Sequence, residues 1–170
     1  AEGSVSNALW NQFDVTFNEE ISTAINGLNR VVHSYKSSQS ASPHYYLLTD
    51  SSGSWLDAEA QAVALGGHLV TINDANENTF ITSTFTGPFG TLWMGFSDVA
   101  SEGNFTWISG EPVTFTFWNS SQPDNFGNED FGQIYNTGRW NDAPGGSLRG
   151  IVEVTQLTDT DGDGLVNVLD

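Results

Sequence analysis

Residues 122–142 read QPDNFGNEDFGQIYNTGRWND and carry Gln122, Asp124, Asn125, Glu129, Asp130, Asn141 and Asp142, all with oxygen-bearing side chains. Pro123, Gly127, Gly132 and Gly138 interrupt any regular structure there. A loop this acidic and irregular repels itself unless a cation or water takes up the charge. Calcium suits the donor set, being a hard ion that takes about six to eight oxygens from mixed carboxylate and amide ligands. Neutral Gln122 and Asn141 beside charged Asp124, Glu129 and Asp142 add oxygens without adding negative charge. For any three of these residues taken alone, a solvated acidic loop is the equal alternative.

A second stretch has the spacing of a calcium loop. In DTDGDGLVNVLD (159–170), Asp159, Asp161, Asp163, Asn167 and Asp170 fall at positions 1, 3, 5, 9 and 12, with Gly164 at the turn position. A solvated acidic tail is the alternative. Other chemistries fit less well. Asp124 and Glu129 form a carboxylate pair of the kind a glycosidase uses. That reaction needs one of them kept protonated in an apolar pocket, and this loop is polar. No Ser/His/Asp arrangement is legible, so no catalytic residue is assigned. His33 and His44 are isolated, which argues against zinc, and His68 in GGHLVTI reads as a core histidine or one that supports the site from behind.

Composition narrows the partners. Of the 170 residues, 21 are acidic and four basic, a formal charge of −17. Such a field repels nucleic acid and anionic membranes and attracts cations. There is no cysteine, so neither disulfides nor thiolate metal sites are available. No apolar run approaches the length of a membrane span, so no membrane insertion is expected. The abrupt start and stop read as a piece of a longer protein whose address lies in the missing parts.

The elements that must position the loop follow from periodicity. Residues 1–43 read as an N-terminal extension. Phe13, Val15 and Phe17 alternate as in a strand, and Asn18 caps a predicted amphipathic helix through Ile21, Ala24, Ile25, Leu28 and Val32. That helix is a candidate surface for self-association, and KSSQSASP (36–43) reads as a linker. HYYLL (44–48) reads as a strand, and Ser54 caps a helix through Trp55, Ala58, Ala62 and Leu65. HLVTI (68–72) is a predicted strand with Leu69 on one side and Val70 and Ile72 on the other. Asp74 starts a second helix. TLWMGF (91–96), VTFTFW (113–118), FGQIY (131–135), GRW (138–140) and RGIVEV (149–154) are further predicted strands. Trp55, Trp93 and Trp107 belong to the scaffold, while Trp118 and Trp140 flank and position the acidic loop. Early helices followed by short strands and long loops indicate an α+β domain.

Residues 44–154 resemble the C-type lectin-like domain. The matching elements run in order: SWLDAEAQAVALGGHLVTI, LWMGF, FTWISGEPVTFTFW, QPD, ED, WND and IVE. The resemblance implies two helices, two small antiparallel sheets and a long calcium-binding loop region over residues 44–156, followed by an acidic tail, 157–170. It implies that Gln122, Asp124, Glu129, Asn141 and Asp142 hold a calcium ion whose coordination is completed by sugar hydroxyls. It also implies a cis bond before Pro123. The Gln-Pro-Asp order is associated with galactose-type sugars, and Phe126 is the candidate stacking platform. An auxiliary calcium site maps onto Asp98, Glu102, Asn125 and Asp130. The family's two disulfide positions fall on Ala62 with Val152 and on Phe131 with Gly145, a cysteine-free pattern expected of a bacterial variant. The tail resembles the first calcium loop of a dockerin or thrombospondin type 3 repeat. The expected function is a non-catalytic, calcium-dependent glycan-binding module of an extracellular or cell-surface adhesin. A protein-binding, ice-binding or structural assembly module on the same fold is the alternative.

Overall fold

The computed structural model describes residues 21–25, 28–36 and 41–157, with no side-chain placement before Val31. Its strands form two antiparallel sheets. The first has the order β1 (Ile21–Ile25), β2 (Leu28–Tyr35), β3 (His44–Leu48), β9 (Ile151–Val154), β4 (His68–Leu69). The second has the order β6 (Thr106–Trp107), β5 (Leu92–Ser97), β7 (Phe131–Ile134), β8 (Trp140–Ala143). Helix α1 (Trp55–Ala64) and helix α2 (Ala75–Ile81) lie between β3 and β5 in the chain.

Both helices start where the sequence places them. The Ser54 hydroxyl accepts from the Asp57 amide while the Asp57 carboxylate accepts from the Ser54 amide, a reciprocal cap. The Asp74 carboxylate accepts from the amides of Asn76 and Glu77. Helix α1 buries Trp55, Ala58 and Ala62 against Leu47, Leu69 and Val152. Ala62 and Val152 are both 0% exposed, so the first disulfide position is filled by apolar packing. At the other, Phe131 stacks on Trp55 at 5.2 Å.

A second, largely aromatic core lies under the long loops. Phe96, Trp107, Trp118 and Trp140 meet edge-on or tilted, with centroids 4.2–6.0 Å apart. The two sheets meet at Val70, whose amide donates to Ile151 O and whose carbonyl accepts from Gly95 N. Gly95 is required there, since a Cβ would stand 2.4 Å from Leu69 O.

Four expectations are corrected. The helix expected from Asn18 through Val32 is instead an antiparallel hairpin, β1 against β2, with Ile25 paired to Leu28. The β-branched Ile21, Thr23, Ile25, Val31 and Val32 favour strand pairing, and Asn26-Gly27 between them is a strong hairpin signal in sequence. β2 then pairs with β3 through His33, Ser34 and Tyr35. The helical surface on which self-association was expected is therefore missing from the described residues, and Phe13, Val15 and Phe17 lie outside them. Residues 113–118 form no ladder strand. Phe115 and Phe117 are held by docking onto the aromatic core, and only Trp118 bridges, to Trp140. Strand β4 stops at Leu69, and Leu69, Val70 and Ile72 are all 0% exposed because the segment lies between the two sheets. His68 is half exposed and bonds Glu59 at 2.6 Å, a surface pair rather than a core histidine.

Candidate functional site

The acidic loop is built by two limbs of the chain that meet at Trp140. Trp140 N donates to Phe117 O, and Asn119 N donates to Trp140 O. The first limb thus enters the turn containing Gln122, Pro123 and Asp124, and the second continues into Asn141 and Asp142 on β8. The Gln122–Pro123 peptide is cis, as the resemblance implied. Between the limbs the loop turns through left-handed backbone at Ser121, Asn125, Gly127 and Asn128. Asn and Gly tolerate that conformation better than most residues, which is why this stretch can fold back so tightly.

The result brings one carboxylate oxygen each from Asp124, Glu129 and Asp142 within 4.8 Å of one another. Asp142 is 1% exposed. Its Oδ2 accepts from the Asn125 amide at 2.8 Å, but Oδ1 has no hydrogen-bond partner. Gln122 Oε1 is likewise buried and unpaired. The Asn141 amide nitrogen is committed to the Asp142 carbonyl, so its side-chain oxygen is the atom left to offer. Burial, the Asp142 charge and contact with Asp124 hold Glu129 above the usual carboxylate range. Buried acceptors without donors beside crowded carboxylates form an arrangement that could hold a cation. The donor set is all oxygen, which fits calcium and not zinc.

The auxiliary set is not drawn together in the same way. Asp98 is 2% exposed, with Oδ2 accepting from Gly103 N at 2.8 Å and Oδ1 unpaired. Glu102 is exposed. Asp130 Oδ2 accepts from Asn128 Nδ2, and its carbonyl accepts from Asp98 N. Asn125 spends its side-chain oxygen on the Glu129 amide at 2.7 Å. The described residues therefore do not bring Asp98, Glu102 and Asp130 to the spacing of the main cluster. Asp159, Asp161, Asp163, Asn167 and Asp170 lie outside the described residues. Phe126 stands 82% exposed beside the cluster, its amide donating to Asp124 Oδ1 at 3.1 Å.

The loop-locking role of Asn125 was not legible from its type, since an Asn in an acidic loop reads as a metal ligand. Tyr135 was also missed. Burial, then the charges of Glu129 and Asp142, raise its pKa, so the field of the cluster reaches this phenol.

The family model of the lectin C-type domain matches residues 51–152. The chain belongs to the C-type lectin domain family. This C-type lectin domain is 38% identical over 104 residues to lectin BRA-3 of Megabalanus rosa, covering 58% of the chain and 63% of that protein. It is 43% identical over 84 residues to the alpha-N-acetylgalactosamine-specific lectin of Patiria pectinifera, covering 45% of the chain and 50% of that protein. The chain thus spans less than two-thirds of these relatives' lengths. Among solved structures it is similar to the C-type lectin CEL-I of Cucumaria echinata, with TM-score 0.63 and 30% identity over 69% of this chain and 94% of that one. A calcium-independent type II antifreeze protein, at 22% identity and TM-score 0.62 over 80% of this chain and 97% of that one, shows the fold alone. The named relatives are eukaryotic, so they lend no support to the bacterial origin expected from the missing cysteines.

Proposed function

We propose that this C-type lectin domain is a calcium-dependent carbohydrate-recognition module with a preference for galactose-type sugars. The observation that carries the proposal is the Asp124–Glu129–Asp142 cluster, with Asp142 Oδ1 and Gln122 Oε1 buried and unpaired beside it. Gln122, Asp124, Glu129, Asn141 and Asp142 would hold the ion. When bound, calcium supplies a hard Lewis-acidic centre that accepts neutral hydroxyl oxygens. The same acids and amides then accept from or donate to those hydroxyls, so the order of acid and amide in Gln122-Pro123-Asp124 sets which hydroxyl pair fits. Phe126, exposed at the rim, offers an apolar face for the sugar ring.

The N-acetylgalactosamine specificity in the name of the Patiria relative supports the galactose-type assignment. Relatives of this family are generally secreted or displayed at the cell surface and generally non-enzymatic. An extracellular adhesin role without catalysis is the corresponding reading here. No helix among the described residues is long and apolar enough to cross a membrane. Residues 44–156 form the recognition domain in this reading, and residues 157–170 form an appended acidic segment with calcium-loop spacing. Asp98, Glu102, Asn125 and Asp130 are the candidates for a second ion, and the buried, unpaired Asp98 Oδ1 is the atom that favours one.

Isothermal titration of calcium into the metal-stripped protein tests the proposal. One main binding event in the range of extracellular calcium modules, roughly 0.1–1 mM, is expected. No heat and no change in melting temperature up to about 10 mM calcium would overturn it.

A further inference from the structure

We infer that Asn78, on helix α2 and outside the ligand set, is a positioning residue for the calcium and sugar site. The inference rests on the calcium reading above. Asn78 is 5% exposed and both ends of its side-chain amide are committed. Its Oδ1 accepts from Trp140 Nε1 at 2.8 Å, and its Nδ2 donates to Gly138 O at 3.1 Å. One side chain therefore grips the β7–β8 turn on both sides of Arg139, immediately before the ligands Asn141 and Asp142.

The turn is shaped to accept that grip. Gly138 has φ +78, and a Cβ there would stand 2.7 Å from Thr82 Oγ1 and 3.1 Å from Asn78 Nδ2. Thr82 Oγ1 in turn donates to Asn78 O at 2.7 Å. Gly138 N donates to Tyr135 O, and Tyr135 N donates to Arg139 O, closing the turn onto β7.

Trp140 is the residue through which the grip reaches both limbs of the site. It is 0% exposed. Its backbone pairs with Phe117 O and Asn119 N on the limb that runs into Gln122 and Asp124, and its own chain continues into Asn141 and Asp142. A rotation or slide of the indole would therefore move both halves of the cluster relative to each other. Aromatic packing against Phe96, Trp107, Phe115 and Trp118 holds the ring in the core. The Nε1–Oδ1 bond is directional and buried, so it selects one setting. Residues that orient metal ligands without touching the metal typically change affinity about 10–100-fold when removed.

The test compares calcium affinities by isothermal titration for wild type, Asn78→Leu, Trp140→Phe and the double variant, each at a temperature well below its own apo melting point. Asn78→Leu keeps the side chain's branching and heavy-atom count, with slightly greater bulk, but removes both bonds. Trp140→Phe keeps one aromatic ring and removes the Nε1–H donor together with part of the buried indole, so it reports on the same bond from the other side if Asn78→Leu folds poorly. Each single variant should weaken calcium at least about tenfold, and the double variant should lose less than the product of the two, because they share one bond. Unchanged calcium Kd in the singles, with lowered melting temperatures only, would make Asn78 a structural residue and overturn the inference while leaving the calcium reading intact. If wild type itself binds no calcium, the calcium reading fails first and the inference falls with it.

Discussion

The amide of Asn125 donates to Asp142 Oδ2 at 2.8 Å across 17 residues of chain, while Asp142 Oδ1 is equally buried and has no partner. One oxygen of this carboxylate locks the loop, and the same side chain brings a carboxylate oxygen within 4.8 Å of those of Asp124 and Glu129. In the proposed reading this side chain serves the fold through its bond to Asn125 and the calcium site through its remaining oxygen.

Replacing Asp142 should separate those two roles. Asp142→Asn keeps an acceptor for the Asn125 amide but removes one charge from a crowded carboxylate cluster. The metal-free variant should melt at or above the wild-type temperature, because like-charge repulsion is relieved. Its response to calcium should vanish. In wild type, calcium at about ten to a hundred times Kd should add roughly 1.4–2.7 kcal/mol, on the order of 3–10 °C for a domain of this size. Melting curves with calcium and with chelator read both effects.

The seam between the two sheets makes a second prediction. Gly95→Ala forces a methyl to within 2.4 Å of Leu69 O, a backbone atom that cannot swing aside. The loss should be about 2–3 kcal/mol or more, visible in urea denaturation with an unchanged slope. A loss under about 0.5 kcal/mol would mean that the seam is looser than this packing implies.

Much of this arrangement was legible in the chain. Ser54 and Asp74 announced helix starts through chemistry local to a few residues, and HYYLL and FGQI announced strands through alternation or apolar run. The meeting of Asp124, Glu129 and Asp142 was legible as a candidate because oxygen-bearing side chains gather there in a loop broken by Pro and Gly. Ile21 to Val32 misled because its apolar residues fit a helical stripe as well as a β-branched hairpin. Pairing with β3, which decides between them, is non-local. Residues 113–118 misled for the opposite reason, since Phe115 and Phe117 alternate as in a strand but bury their rings without ladder bonds. Asn78 carried no local signal, because its meaning depends on a residue 62 positions away.

A buried network outside the ligand set gives the domain a pH-dependent stability. Tyr46 donates to Glu77 at 2.7 Å and to Glu153 at 3.2 Å, and His44 contacts Glu153 at 2.5 Å. Burial, then the Glu153 charge, pushes the Glu77 pKa up to about 7. The folded state therefore holds this proton more tightly than the unfolded chain. Its stabilisation is fully present below the unfolded value near 4.5 and is lost as pH rises through about 7. His44, raised chiefly by its hydrogen bond to Glu153, acts in the same direction. Metal-free wild type should lose more stability between pH 5 and 8 than Glu77→Gln does, by an amount on the order of a few kcal/mol. Parallel slopes for the two proteins would refute a titrating Glu77.

Phe126 separates sugar recognition from fold. At 82% exposed, its replacement by Ala should leave the melting temperature and the calcium affinity unchanged. Binding of galactose-type sugars should weaken by about 1 kcal/mol, roughly fivefold in Kd. The paired exchange Gln122→Glu with Asp124→Asn should shift preference toward mannose-type sugars while keeping calcium binding. Sugar titrations monitored by heat distinguish these outcomes, and an unchanged preference would mean that this tripeptide does not set specificity.

The most direct measurement is a glycan array probed with the protein in millimolar calcium and again with chelator. Signal on galactose- or N-acetylgalactosamine-type glycans that disappears on chelation is the predicted result. Signal that survives chelation, or a blank array in both conditions, contradicts a calcium-dependent sugar site at Asp124, Glu129 and Asp142.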